Sequence, residues 1–528
     1  MTEPAGNEAL LDFLSRPESY GLDAREKITR VDTHASHVFL AGGRAYKMKR
    51  PVRFTFLDFS TLEGRREACE RELEFNRRTA PDIYLSVIPV RETEEGFRLG
   101  GDKGEPVEWL VEMKRFGGEG LLATKAERGQ LAIELVEMLA ADVAAFHARA
   151  EVHRDFGGAD NFASIVTGSE TDMQASIGPV FDAEQAARVT RRSKALIEQH
   201  RDLLDARRDT GFVRHCHGDL HLGNVTEIDA RPVIFDCIEF SDRIARIDVA
   251  YDLAFLLMDL GFRAETDERL AGYANRALNV YLDHVAQAEI EATYRGLALL
   301  PLFMATRAVV RAKVTAVQAK GGEAEGKRKL ARAYLDFAER LLDGKPPRLI
   351  AVGGLSGTGK STLAKVLAAR AGGVPGAVHI RSDTVRKRLF GVAPLERLPE
   401  DAYAPGAGER VYAEMMRLAA VSLRAGMSVV VDAVFAKPEE RVEAERLARE
   451  AGTPFDGLWL DAPAAMLEAR VAAREKAGRD PSDAGVAVLK RQLAYGLGEM
   501  NWLKIDASGT PDEALAAAIG SIDRSLRS

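Results

Sequence analysis

The chain has 528 residues, too many for one ordinary core, and its length alone suggests about three or four compact units. Its 46% hydrophobic and 29% charged residues are ordinary for globular protein, and a formal net charge of -7 argues against an extended nucleic-acid track, which needs clustered Lys and Arg. Three cysteines, Cys69, Cys216 and Cys237, are too few and too irregularly spaced for a secreted disulfide framework.

Met1 to Glu8 has neither the basic start nor the apolar run of a signal peptide. Leu253 to Met258 and Gly296 to Ala305 are the richest apolar stretches, far short of the roughly 20 residues a bilayer span requires. The expectation is a cytoplasmic protein with no membrane partner. Glu8 to Phe13 reads as a short opening helix. Lys27 to Asp32, His37 to Leu40 and Ala45 to Lys49 then read as three antiparallel strands, the last two joined by Gly42-Gly43. A helix dense in Arg and Glu follows from about Leu62 to Arg78, then strands at Leu85 to Val90 and Glu108 to Met113. This is a small α+β lobe, about residues 1–115.

From about 116 to 345 the period is mostly helical, with Leu131, Leu135, Met138, Leu139 and Val143 expected on one apolar face. The segment Gln318 to Arg332 reads as a solvated helix face or loop, because acidic residues interrupt its lysines. Gly344-Lys345-Pro346-Pro347 is the best linker. After it, Arg348 to Gly353 is a buried-strand pattern opening a second domain, residues 347–528.

Within the helical part stands His217-Gly218-Asp219-Leu220-His221-Leu222-Gly223-Asn224, followed by an apolar strand ending in Ile234-Phe235-Asp236. An Asp, an Asn five positions on and an Asp closing the next strand are the spacing of a phosphoryl-transfer site: Asp219 as base, Asn224 and Asp236 as Mg2+ ligands bridging the phosphates of ATP. Lys47 on the third strand fits the phosphate-contacting lysine, with Lys49 on the same face as a competitor. His215, His217 and His221 have no further Cys or His nearby to complete a closed zinc site, and His217 is expected under the catalytic loop. Asp248 and Asp252 read as a helix cap and a loop brace.

Phe56 to Leu62, Asn76 to Pro81, the HGDLHLGN run and Ile234 to Phe240 together resemble the aminoglycoside phosphotransferase-like kinases, and more narrowly their bacterial branch fused to a P-loop ATPase. The resemblance covers nearly the whole chain. It implies a two-lobed protein-kinase-like fold with ATP held near Glu112-Met113-Lys114, and Glu72, rather than Glu70, as the partner of Lys47. Leu222 stands where many antibiotic kinases have Pro, and the loop after the first strand is His34-Ala35-Ser36 rather than glycine-rich. Both set the chain apart from resistance enzymes.

Gly354-Leu355-Ser356-Gly357-Thr358-Gly359-Lys360-Ser361, between a strand and a helix, is a P-loop. Gly354, Ser356, Gly357, Thr358, Gly359 and Thr362 belong to the expected phosphate cradle, Lys360 reaches the terminal phosphates, and Ser361 binds magnesium. Asp432, closing Val429-Val430-Val431, is either a Walker B-like metal carboxylate or a cap of the next loop. Ile380 to Lys387 resembles the acceptor motif of small P-loop kinases, the group of polynucleotide 5′-hydroxyl kinases, gluconate kinases and zeta toxins. That resemblance implies that Asp383 orients the acceptor hydroxyl and Arg386 contacts acceptor or phosphate. Arg470 and Arg474, on one helix face before the Gly478-Arg479-Asp480-Pro481 break, look like lid arginines.

The expected whole is a multidomain kinase, an α+β two-lobed domain followed by an α/β P-loop domain with a parallel sheet. It uses ATP and Mg2+ and takes a small-molecule hydroxyl as acceptor. Alternatives are a P-loop module that regulates the first half, a nucleic-acid 5′-hydroxyl kinase, and a protein kinase. The motifs do not encode the acceptor, ATP against GTP preference, or oligomeric state.

Overall fold

The computed structural model describes residues 6–525 except 34, 55–56, 320, 394–395, 400–401, 403–405 and 478–484. His34, Phe56 and the Gly478 to Pro481 break therefore lie outside the described residues. The chain forms two compact units. One comprises Met1–Leu135, Ala150–Gly157 and Gly211–Asp252, and the other Val136–Arg149, Gly158–Thr210 and Leu253–Ser528.

The first unit is built on a six-stranded antiparallel sheet. Helix α1 (Gly6–Leu14) precedes β1 (Thr29–Asp32), β2 (Ser36–Ala41) and β3 (Arg44–Lys49). Helix α2 (Leu62–Asn76), β4 (Tyr84–Thr93), β5 (Gly96–Leu99) and β6 (Glu105–Lys114) complete it, in the order β1-β2-β3-β6-β4-β5. Alternation along β3 divides its residues between two faces. Tyr46 and Met48 join Phe39, Val90, Leu110 and the leucines of α1 in one cluster, while Lys47 and Lys49 point toward the α2 side.

Thr61 caps α2, its hydroxyl accepting from Gly64 N at 3.1 Å. The buried face of this helix is Arg65, Ala68, Cys69, Glu72, Phe75 and Asn76. Two charges sit inside because each is paired: Arg65 Nε donates to both carboxylate oxygens of Glu108, at 2.8 and 2.9 Å.

Farther along the chain in this unit, β7 (Val213–His215) pairs antiparallel with the later strand Arg246–Asp248. Strands β8 (Val225–Ile228) and β9 (Arg231–Ile234) form a hairpin whose two turn residues, Asp229 and Ala230, both have positive φ, as a right-twisting two-residue turn requires. Numbering that Arg246–Asp248 strand β10, helix α3 (Val249–Ala264) follows it directly.

The second unit contains helix α4 (Tyr273–Asp283) among the helical segments, and a five-stranded, wholly parallel sheet. The sheet comprises β11 (Leu349–Gly354), β12 (Val378–Arg381), β13 (Val429–Asp432), β14 (Phe455–Asp461) and β15 (Leu503–Asp506), in the order β12-β13-β11-β14-β15. Helices α5 (Lys360–Arg370), α6 (Ser382–Leu389), α7 (Ala407–Arg424), α8 (Ala464–Ala477) and α9 (Pro511–Ser525) alternate with the strands. Every residue of β11 is buried, as expected for a central parallel strand covered on both faces. Ile350 and Val352 pack with Leu363, Leu367, Val430, Leu458 and Ile505.

Two local expectations change. Met138 is only half-buried, whereas Val136, Leu139, Ala140 and Val143 are fully buried, so the apolar stripe is broader than one heptad seam. Leu131 is buried but precedes the helix Ile133–Arg149. No helix among the described residues is long and apolar enough to cross a membrane.

Candidate active sites

In the first unit, Lys47 Nζ lies 2.7 Å from Glu72 Oε1 and 2.7 Å from Asp236 Oδ1. Glu70, by contrast, pairs with Arg66 on the exposed face of α2. The second oxygen of Glu72 receives Lys49, which also binds Glu239. Two lysines and three carboxylates thus share one network. Burial favours the neutral form of Glu72, but Lys47 and Lys49 outweigh it and hold the carboxyl at about 2. Burial would lower Lys47, yet Asp236 and Glu72 raise it well above the ordinary lysine value. Glu239 is raised, because burial outweighs Lys49 there.

Asp236 adopts φ +65°, a left-handed conformation rare for a non-glycine residue. The surroundings hold it there: its N–H donates to Tyr84 Oη at 3.2 Å, and the next N–H, of Cys237, donates to Asn76 Oδ1 at 2.8 Å. Strain retained in this way is characteristic of functional positions.

The Asp219 loop is braced from both sides. Asp252 accepts from His217 N at 3.0 Å and Gly218 N at 2.9 Å. His217 is fully buried; its Nε2 lies 2.9 Å from Phe235 O and its Nδ1 accepts from Asp219 N at 3.2 Å. Gly218 has φ +86°, and a Cβ there would meet Ile244 O at 3.0 Å. Asn224 Nδ2 donates to Asp219 O at 2.9 Å and to Asp219 Oδ2 at 2.8 Å, and His221 Nε2 lies 3.4 Å from that same carboxylate. Asp248 caps α3 by accepting from Ala250 N at 2.8 Å.

In the second unit the glycine loop joins β11 to α5. Thr358 Oγ1 donates to Leu355 O at 2.8 Å, and Lys360 Nζ donates to the same carbonyl at 3.0 Å. Burial lowers the Lys360 pKa, while Asp432 and Asp383 raise it and Arg474 and Arg381 lower it. These four side chains are therefore near enough to act on that ammonium. Burial would raise Asp432, but His379, Arg381 and Lys360 hold it down at about 2. Arg381 Nη2 donates to Ser361 Oγ at 3.2 Å, and its Nε is 3.7 Å from Asp432 Oδ2. Thr362 is exposed on the first turn of α5. Arg386 Nη1 donates to Ala402 O, and Arg470 holds the carbonyls of Ala507 and Gly509, so in this structure main-chain oxygens occupy both guanidinium groups.

The phosphotransferase enzyme family profile matches residues 44–290, and an AAA domain profile matches residues 349–496. The uncharacterized protein Rv2004c of Mycobacterium tuberculosis is 31% identical over 499 residues, covering 92% of this chain and 94% of its own. The chain belongs to the same family as that protein. Its N-terminal part is a kinase-type phosphotransferase domain, and its C-terminal part is a P-loop kinase-like domain with a parallel sheet. Among solved structures, a choline/ethanolamine kinase family protein from Mesorhizobium loti is similar at 12% identity and TM-score 0.38, over 64% of this chain and 98% of that one. A gluconokinase from Sinorhizobium meliloti is similar at 22% identity and TM-score 0.24, over 34% of this chain and 93% of that one.

Several groups of this phosphotransferase escaped sequence reasoning. Glu239 and Lys49 lay in quoted runs, but only the fold reveals their pairing. Tyr84 and Asn76 carry no local sign that they brace Asp236. Gln492, whose side-chain oxygen accepts from Ser356 N at 2.8 Å, is 136 positions from the loop it supports. His379 and Arg381 were visible only as members of an apolar strand.

Proposed function

We propose that the chain carries two ATP-dependent, magnesium-dependent active sites, within residues 1–345 and 347–528, each passing the γ-phosphoryl group to a hydroxyl of a small molecule in the cytoplasm. The observation that carries the reading is Lys47, tied at once to the helix carboxylate Glu72 and to Asp236. That arrangement fixes an ammonium where ATP phosphates need a counter-charge.

In the first site Asp219 accepts the hydroxyl proton as the acceptor oxygen bonds to phosphorus and the bond to the ADP oxygen breaks. Asn224 and His221 orient its carboxylate. The donors fit magnesium: with Asn224 Nδ2 turned to Asp219, the hard amide oxygen remains as a ligand, and Asp236 keeps a second carboxylate oxygen beyond its Lys47 contact. In the second site Ser361 and Asp432 are the corresponding pair, and the buried Asp432 Oδ2 has no hydrogen-bond partner. Bound magnesium supplies charge neutralisation for the phosphates. Lys360 contacts the terminal phosphates, Asp383 orients the acceptor, and Arg386, Arg470 and Arg474 reach the substrate after lid closure. The proximity of Asp383 to Lys360 supports a kinase over a purely regulatory nucleotide switch. The net charge of -7 favours small acceptors over nucleic acid, and the three cysteines are free and buried, in keeping with a reducing compartment.

Magnesium-dependent ATP turnover of Asp236→Asn, Lys360→Ala and the double variant tests this. Each single change is expected to remove part of the turnover and the double change all of it. Undiminished turnover in the double variant would overturn the reading.

A further inference from the structure

Strand β12 lies at the edge of the parallel sheet. Its inner side faces β13, with Val378 N donating to Ser428 O at 2.9 Å. On the outer side, where a sixth strand would pair, two asparagines of α4 stand in. Asn275 Nδ2 and Asn279 Nδ2 donate to Ala377 O at 2.9 and 3.2 Å, and Asn279 Oδ1 accepts from His379 N at 2.7 Å. A carboxamide presents one donor and one acceptor as a peptide group does, so Asn279 satisfies the edge as a strand residue would. Both asparagines are buried, where losing such bonds is costly. At the far end of α4, Leu282 O accepts from Arg388 of α6 at 3.4 Å.

The strand held in this way carries chemistry. His379 Nε2 is 3.6 Å from Asp432 Oδ2, Arg381 reaches Ser361 and Asp432, and Asp383 begins the next helix. Helix α4 belongs to the segment matched by the phosphotransferase enzyme family, whereas β12 belongs to the AAA domain segment, yet both lie in one compact unit. We propose that Asn279 is a positioning residue for the P-loop site, setting the register of the strand that bears His379, Arg381 and Asp383. The P-loop site is therefore incomplete without a helix of the preceding kinase segment. This inference rests on the reading of the P-loop site as catalytic.

The test compares the full-length chain with Asn279→Leu, Asn279→Asp and Asn275→Ala, reading the Lys360-dependent part of ATP turnover, amide hydrogen exchange at His379 and Val378, and thermal unfolding. Asn279→Leu is expected to lower that kcat at least tenfold and speed exchange at His379 at least a hundredfold, leaving Val378 protected. Asn275→Ala keeps the His379 bond and is expected to change kcat less than threefold. Asn279→Asp, which retains the acceptor and serves if the Leu variant fails to fold, is expected to keep His379 protected and turnover within fivefold of the parent. Unchanged kcat in Asn279→Leu, or parallel losses of unfolding temperature and of both sites' activities, would overturn the proposal. So would a fully active Asn279→Asp whose His379 amide exchanges freely. The Lys360→Ala control separates the two claims: if it loses no turnover, the P-loop reading fails and this inference with it. If it loses turnover while Asn279→Leu does not, only the inference fails.

Discussion

Asn224 holds Asp219 twice, through its main-chain oxygen at 2.9 Å and its carboxylate at 2.8 Å, so one amide fixes both the loop and the proposed base. Asn224→Ala removes both bonds. It is predicted to lower first-site kcat by about a hundredfold, the scale expected when a reacting group loses its orientation. Steady-state kinetics in a Lys360→Ala background check this by isolating the first site.

Glu72 receives two lysines in a buried network, so Glu72→Gln leaves positive charge uncompensated. A loss of about 3–5 kcal/mol is predicted, readable by denaturant unfolding. The pH dependence has a definite sign. With the folded carboxyl at about 2 and an unfolded value near the usual ~4.3, this contribution is fully present above about pH 5 and lost as pH falls toward 2. Glu72→Gln is predicted to flatten the stability profile over that window.

His215 titrates in the opposite chemical sense. Burial first, then Arg78 and Arg246, lowers its pKa to about 3, so the folded state keeps the imidazole neutral. The unfolded chain takes up a proton below about pH 6.5. Stability from this group is therefore predicted to fall between about pH 6.5 and 3, with a slope of at most about 1.4 kcal/mol per pH unit. Equilibrium unfolding of His215→Gln across that range is predicted to show a shallower slope.

At Gly357, φ is +87° and a Cβ would sit 2.8 Å from Leu467 O and 3.1 Å from Val471 Cγ2. Gly357→Ala is predicted to displace the phosphate loop, costing about 1–3 kcal/mol and raising the second-site KM for ATP. Calorimetric ATP titration of a variant with its first site silenced by Asp236→Asn measures the change.

Legibility followed locality. The three strands before α2, the linker at 344–347 and the strand-loop-helix of the P-loop could be read because period, turns and glycines lie within a few residues of one another. Lys47 and Lys49 were equally good on alternation alone. The fold separates their contacts, placing Lys47 against Asp236 and Lys49 against Glu239, 189 and 190 positions away. The Arg/Glu density of α2 obscured its inward face, because charges normally signal solvent and here two of them are paired inside. The asparagines of α4 gave no signal, since Asn in a helix is read as a poor helix former until the strand edge it serves is known.

The central claim is phosphoryl transfer to a small molecule, and mass spectrometry tests it most directly. A small-molecule extract and an antibiotic panel would be incubated with ATP, magnesium and wild type, Asp219→Asn or Lys360→Ala protein. The account predicts a compound that gains one phosphate with wild type and fails to gain it with one of the variants, which assigns the working site. ATP hydrolysis with no compound gaining phosphate, or the same product from wild type and both variants, would contradict it.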